Sequence, residues 1–145
     1  VIERILLTVD DTTESLRAAG IVARLGVDLR AEVTVLTVIE DDAEARSHPP
    51  EDRRRAATNL LEYVRRQICA EGVDPARVWI KQASGEPFRV ILDEARTWPA
   101  DMIVMAVSDE RRVRSNYVGS VTEQVIEFAT CPVLVVPAST WRHGA

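Results

Sequence analysis

Residues 104 to 125 read VMAVSDERRVRSNYVGSVTEQV, and their types and spacing are those of a loop that could hold an anion. A strand-like apolar run passes into a charged stretch with Asp109, Glu110, Arg111, Arg112 and Arg114, and a helix then opens at Gly119 and Ser120. Free amides at a helix start attract phosphate, and guanidinium groups add charge-assisted, bidentate contacts. Loops that bring bare backbone against a phosphate use glycine for the close approach, and this stretch has none before Gly119. Ser120 followed by Glu123 also has the spacing of a capping box, so the Gly-Ser pair is equally explained as a plain helix start. Anion cradle and solvated connection both stay open on these residues.

A second candidate is VDDTTES at 9 to 15, where Asp10 ends an apolar run. An Asp there serves either a ligand or the turn itself. Covalent or acid–base catalysis finds little support. His48 lies in an irregular segment and His143 in the tail STWRHGA, so neither is held by a rigid element beside a nucleophile. The stretch DDTTES has no glycine and therefore lacks the pyrophosphate cradle of an ATP pyrophosphatase. Cys69 and Cys131 have no second Cys or His at ligand spacing, which argues against a metal site or a disulfide framework and reads as two buried thiols.

Alternating elements must position these residues. Runs at 4 to 9, 32 to 39, 78 to 82, 102 to 107 and 132 to 137 are short, rich in β-branched residues and bounded by turn or charged residues, as buried parallel strands are. Segments 12 to 26, about 50 to 71, 87 to 97 and 119 to 130 carry apolar residues three and four apart and predict helices. Asp11 with Glu14 and Ser120 with Glu123 predict helix starts, Pro87 suits a first turn, and Gly26 and Gly72 predict stops. The βαβαβαβαβ order predicts an α/β fold, a five-stranded parallel sheet with helices on both faces and right-handed crossovers. If the first and fourth strands are neighbours, the loops after them face each other across the crevice where such sheets bind ligands. Trp79, Trp98, Phe88 and Phe128 suit helix–sheet packing better than base stacking.

The 145 residues form one expected domain, with a core over 3–137 and a tail over 138–145. Eighteen basic against 23 acidic residues leave a net charge of −5, which opposes a nucleic-acid partner. No apolar run reaches the roughly 18 residues of a membrane span, and no basic-then-apolar leader begins the chain. A cytoplasmic protein without membrane insertion is expected. The triple arginine at 53 to 55 reads as a solvated helix face.

The chain as a whole resembles the universal stress protein family. RILLTVDDTTES, TVLTVIE at 34 to 40, ASGEPFRVILDEA at 83 to 95, ADMIVMAV at 100 to 107 and GSVTEQVIEFATCPVLVVP at 119 to 137 carry the resemblance, in order and spacing, from about Glu3 to Pro137. It implies a Rossmann-like domain of the adenine nucleotide alpha hydrolase architecture, a homodimer paired through its last strand, and a role in stress adaptation, often with bound ATP. The family's nucleotide motif has a glycine, two residues, a second glycine, nine residues, then glycine with Ser or Thr. Laid on this chain, the first glycine becomes Ala106 and the second Asp109, while Gly119 and Ser120 keep the closing pair and Val121 follows. Asp10 matches an acidic residue near the base or ribose, and Val38 matches an apolar position against the base.

The departures differ in cost. A methyl group at Ala106 matters only where the backbone or the ligand is close, but Asp109 puts a carboxylate where phosphate oxygens would lie. Arg111, Arg112 and Arg114 offer guanidinium contacts in place of backbone amides. Two expectations follow: a degenerate site that binds ATP weakly or not at all in a regulatory domain with an unknown protein partner, or an ATP- or AMP-binding member, with Mg, whose phosphate loop is modified. Val133, Leu134, Val135 and Val136 are apolar and flanked by prolines, which suits an edge that pairs with its own copy.

Overall fold

The computed structural model of the protein describes residues 1–40, 45–106 and 119–137. Among the described residues five strands, β1 (Arg4–Thr8), β2 (Glu32–Ile39), β3 (Val78–Ser84), β4 (Met102–Ala106) and β5 (Val133–Val136), alternate with four helices, α1 (Thr13–Leu29), α2 (Pro50–Ala70), α3 (Pro87–Thr97) and α4 (Ser120–Phe128). Short 3-10 turns at Ala45–Ser47 and Pro75–Arg77 precede α2 and β3. All four strand pairings are parallel, in the order β3-β2-β1-β4-β5. The predicted α/β sheet is therefore present, and β1 and β4 are neighbours, with Ile5 beside Met102 and Leu7 beside Val104.

Both faces of the sheet are covered, which is why its central strands lack polar alternation. Ile5, Leu7, Val33, Val35 and Val104 join Val22 of α1 with Leu61, Val64 and Ile68 of α2 in one core. Leu6, Leu36, Ile103 and Met105 point the other way, toward Ile91 of α3 and Val125 of α4. Ile5, Leu6 and Leu7 are all fully buried, and burying one such side chain stabilises by about 1.5–3 kcal/mol.

Several local readings change. Gly26 does not stop α1. It is buried inside the helix, where an added Cβ would lie 3.1 Å from Cγ2 of Val73, so its small size lets the β3 approach pack against α1. The helix ends three residues later, at Leu29, and its C-cap Arg30 takes the left-handed conformation (φ 53°, ψ 42°). Thr12, not Asp11, caps the start of α1, and its side chain accepts from the Ser15 amide at 3.4 Å. Gly119, with φ 97° and ψ 145°, stands at the N-cap of α4, so Ser120 is the first helical residue and lies one position too late to cap. Gly72 (φ 119°) follows the end of α2 as predicted, and Pro87 opens α3.

The aromatic residues are less buried than predicted. Trp79 on the edge strand β3 is 53% exposed and Phe128 at the end of α4 is 57% exposed, although Phe128 keeps a tilted contact with Phe88 at 6.3 Å. Cys69 and Cys131 are free thiols, only partly buried. Burial pushes the Cys131 thiol above its usual range, reinforced by the nearby Asp101 carboxylate.

Candidate functional site

Strand order reverses between β1 and β4, and a cleft of about 320 Å³ opens there beyond the carboxyl ends of the strands. That is the size of a pocket for a small organic ligand. Thr8, Val9 and Asp10 from β1 and its exit form its base, with Leu36 and Val38 of β2 on one side and Met105 and Ala106 of β4 on the other. Pro87 and Ile91 of α3, and Val121 and Thr122 of α4, close the far wall, while Thr12, Ser15 and Glu40 complete the lining.

The turn after β1 is tied by a compact network. Oδ1 of Asp10 accepts from the Thr12 amide at 3.0 Å, from the Thr12 hydroxyl, and from Oγ of Ser15 at 2.8 Å. In return the Asp10 amide donates to Ser15 Oγ at 2.9 Å, and Ser15 is buried. Just behind, the buried Thr37 hydroxyl donates to the Val9 carbonyl at 2.9 Å. Asp10 is exposed to the cleft yet holds the start of α1 in place, so the turn role read from its type is realised.

At the β4 side the donors are backbone. The Glu123 amide is the first in α4 to find an intrahelical partner, Gly119 O at 3.0 Å, which leaves the amides of Ser120, Val121 and Thr122 at the free, partially positive end of the helix. Only glycine adopts φ 97° with ψ 145° at low cost, so Gly119 sets the direction in which this helix end points. The cleft thus has an apolar middle, amide donors over β4, and two carboxylates, Asp10 and Glu40, over β1 and β2. No Lys, Arg or His lines it among the described residues.

The structure brings together Asp10, Val38, Ala106 and Val121 of the predicted residues in one lining. Gly119 and Ser120 lie immediately before Val121, with Gly119 buried and Ser120 exposed. Asp109, Arg111, Arg112 and Arg114 lie outside the described residues, as does His143. His48 sits in an exposed position before α2, its Nδ1 3.1 Å from Ser47 Oγ and away from the cleft. Sequence reasoning missed Glu40, Ile91, Met105, Thr122 and Ser15. Glu40 had a usable signal: it follows the last residue of the strand beside β1, at the edge where ligands collect.

A parallel, doubly wound sheet with a ligand-sized cleft at its switch point defines a Rossmann-like α/β domain. The universal stress protein family model matches residues 2–137, and the chain belongs to that family. It is 30% identical over 135 residues to Universal stress protein Sll1654 of Synechocystis, covering 92% of this chain and 84% of that protein. Among solved structures, the universal stress protein from Archaeoglobus fulgidus in complex with dAMP superposes with a TM-score of 0.74 at 21% identity, over 92% of this chain and 97% of that one. A universal stress protein in complex with cAMP gives a TM-score of 0.73 at 17% identity, over 93% and 97%.

Among the described residues no helix is long and apolar enough to cross a membrane, and no group of three or more His, Cys, Asp or Glu side chains could hold a metal ion.

Proposed function

We propose that the cleft binds an adenine nucleoside monophosphate, and that the protein is a non-catalytic, cytoplasmic regulatory domain of stress adaptation acting through protein partners. One observation carries the reading: an apolar slot between Val38, Leu36 and Ile91 ends on the free amides of α4, the pairing of a base site with an anion site. The dAMP and cAMP complexes of two structural relatives support the choice of adenine. ATP with Mg is held weakly or not at all. Asp109 replaces the glycine of the family motif, and the cleft lining already carries two carboxylates with no described cation to offset further phosphate charge.

The protein pairs with a second copy through β5. The two edges of the sheet differ in how they are guarded. On β3 the Val78 carbonyl accepts from Nε of Arg65 at 3.2 Å, and Lys81 stands mid-strand in an ion pair with Glu94 at 2.6 Å. β5 carries no charge over Val133, Leu134, Val135 and Val136, and its Leu134 is exposed.

Titration calorimetry of nucleotide-stripped protein tests the ligand. Saturable heat with AMP and little with magnesium ATP is the expected result, with ATP binding recovered in Asp109→Gly. Tight ATP binding by the unmodified protein would overturn the monophosphate preference, and absence of AMP heat would overturn the site.

A further inference from the structure

A second concavity, of about 500 Å³, runs along the amino end of the edge strand β3, between it and the later turns of α2. Val78, Trp79 and Ile80 of the strand line it with Glu62, Arg65 and Arg66 of the helix. Trp79 is 53% exposed and Ile80 37%. Consecutive residues of a strand point to opposite faces, so these two large apolar side chains stand one on each side of the sheet margin.

The guanidinium groups at this margin lack carboxylates. Nε and Nη2 of Arg65 donate to the carbonyls of Val78 and Pro75, at 3.2 and 2.9 Å, and Arg77, just ahead of Val78, donates to the Arg30 carbonyl at 2.7 Å. A neutral carbonyl satisfies the donor and leaves the positive charge in place. Arg66 is exposed and has no ion pair among the described residues, whereas Arg4, Arg55, Lys81, Arg89 and Arg96 each meet a carboxylate. Two guanidinium groups of the lining, with Arg77 beside it, thus face one carboxylate, Glu62, in a chain whose net charge is −5. Residues 41–44, 107–118 and 138–145 follow the carboxyl ends of β2, β4 and β5, while this groove lies at the amino end of β3. Arg66 is also about 24 Å along α2 from Pro50, the residue at which the helix begins.

We propose that this margin docks an acidic segment of a partner protein, which sets an apolar anchor against Trp79 or Ile80 and carboxylates against Arg65, Arg66 and Arg77. Such a surface serves the partner-dependent role proposed above and rests on that reading. Trp and Arg are over-represented at the energetic centres of interfaces, and a carboxylate turns a solvated guanidinium into a charge-assisted, bidentate contact. Arg65 already occupies the Val78 carbonyl, so recognition runs through side chains and not through extension of the sheet. The negative net charge of the chain disfavours a nucleic acid as the occupant.

Random peptides displayed on phage, panned against the full chain, test this. The selected peptide is then titrated by fluorescence anisotropy against the unmodified protein, Arg66→Glu, Trp79→Ala and, as a control on α3, Arg89→Glu. All three positions are exposed, and circular dichroism melts check that each variant is folded. The selected sequences are expected to place Asp or Glu around an aromatic or aliphatic residue and to bind more weakly as salt rises. Affinity should fall about tenfold or more in Arg66→Glu and in Trp79→Ala and stay unchanged in Arg89→Glu. Basic sequences, or a peptide indifferent to both β3-margin variants, would overturn the surface and leave a partner-dependent role standing elsewhere on the molecule. Enrichment of no peptide overturns both. An oligodeoxythymidylate that binds the unmodified protein and not Trp79→Ala would give the groove to single-stranded nucleic acid, and self-association lost in Arg66→Glu would give it to a second copy; either result overturns the proposal.

Discussion

Nη1 of Arg17 donates to the carbonyl of Pro137 at 2.8 Å, joining residues 120 apart in the chain. Arg17 lies on α1 two residues after Ser15, so one helical turn holds both the wall of the cleft and the exit of β5. Replacing it with Met keeps the aliphatic stem and removes the donor. Arg17→Met is expected to lose about 1 kcal/mol in urea unfolding and to weaken association of two copies, read by sedimentation at several concentrations.

Ser15 both donates to Asp10 Oδ1 and accepts from the Asp10 amide, and it is buried. Ser15→Ala leaves those two groups without this partner and should cost about 2 kcal/mol in denaturant unfolding. Ser15→Thr, which keeps the hydroxyl, should recover part of that loss if the extra methyl is accommodated.

Gly119→Ala forces a Cβ onto a backbone at φ 97°. The expected cost is about 1–2 kcal/mol of stability, with a fall in AMP affinity because the first turn of α4 must tilt to relieve the strain. A melt and a titration on the same sample separate the two effects. An unchanged affinity would detach the α4 amides from the ligand.

The Asp101 carboxylate is held below its ordinary value of 3.8, chiefly by the backbone amides of Glu3 and Arg4, each donating to Oδ2 at 2.9 Å. A carboxylate with a depressed folded-state pKa contributes stability above its unfolded value, lost as pH falls through the folded one. Asp101→Asn should therefore be less stable than the unmodified protein at neutral pH. The difference should narrow below 3.8, as followed by thermal melts across an acid series.

Leu134→Lys places a charge on the open edge and should give a monomer by sedimentation. Trp79→Lys, on the guarded edge, should leave the association unchanged. Dissociation by the second variant and not the first would move the interface to β3.

The sheet was legible in the sequence because its strands are buried on both faces: RILLTV and MIVMAV have no polar alternation, and helical spacing between them leaves few other architectures. The adjacency of β1 and β4 stood only as a condition in the sequence, because the order of elements along the chain does not fix the order of strands across the sheet. Caps were harder. Asp11 with Glu14 and Ser120 with Glu123 match the capping pattern, but Thr12 and Gly119 hold the positions, because the Asp10 network and the geometry of Gly119 set where each helix turns. Gly26 shows the same limit, since its neighbour Val73 is distant in sequence and only the fold brings the two together. Ile91, Met105 and Thr122 entered the cleft by tertiary placement alone. The charged loop that drew attention first, with Asp109 and the arginines, lies outside the described residues.

The guanidinium of Arg65 against the rim of β3 has a consequence for growth. A sheet with two sticky margins polymerises, whereas a plugged margin stops growth: if two molecules zip along β5, as proposed, the ten-stranded slab carries an Arg65-blocked lip at each end and growth halts at the pair.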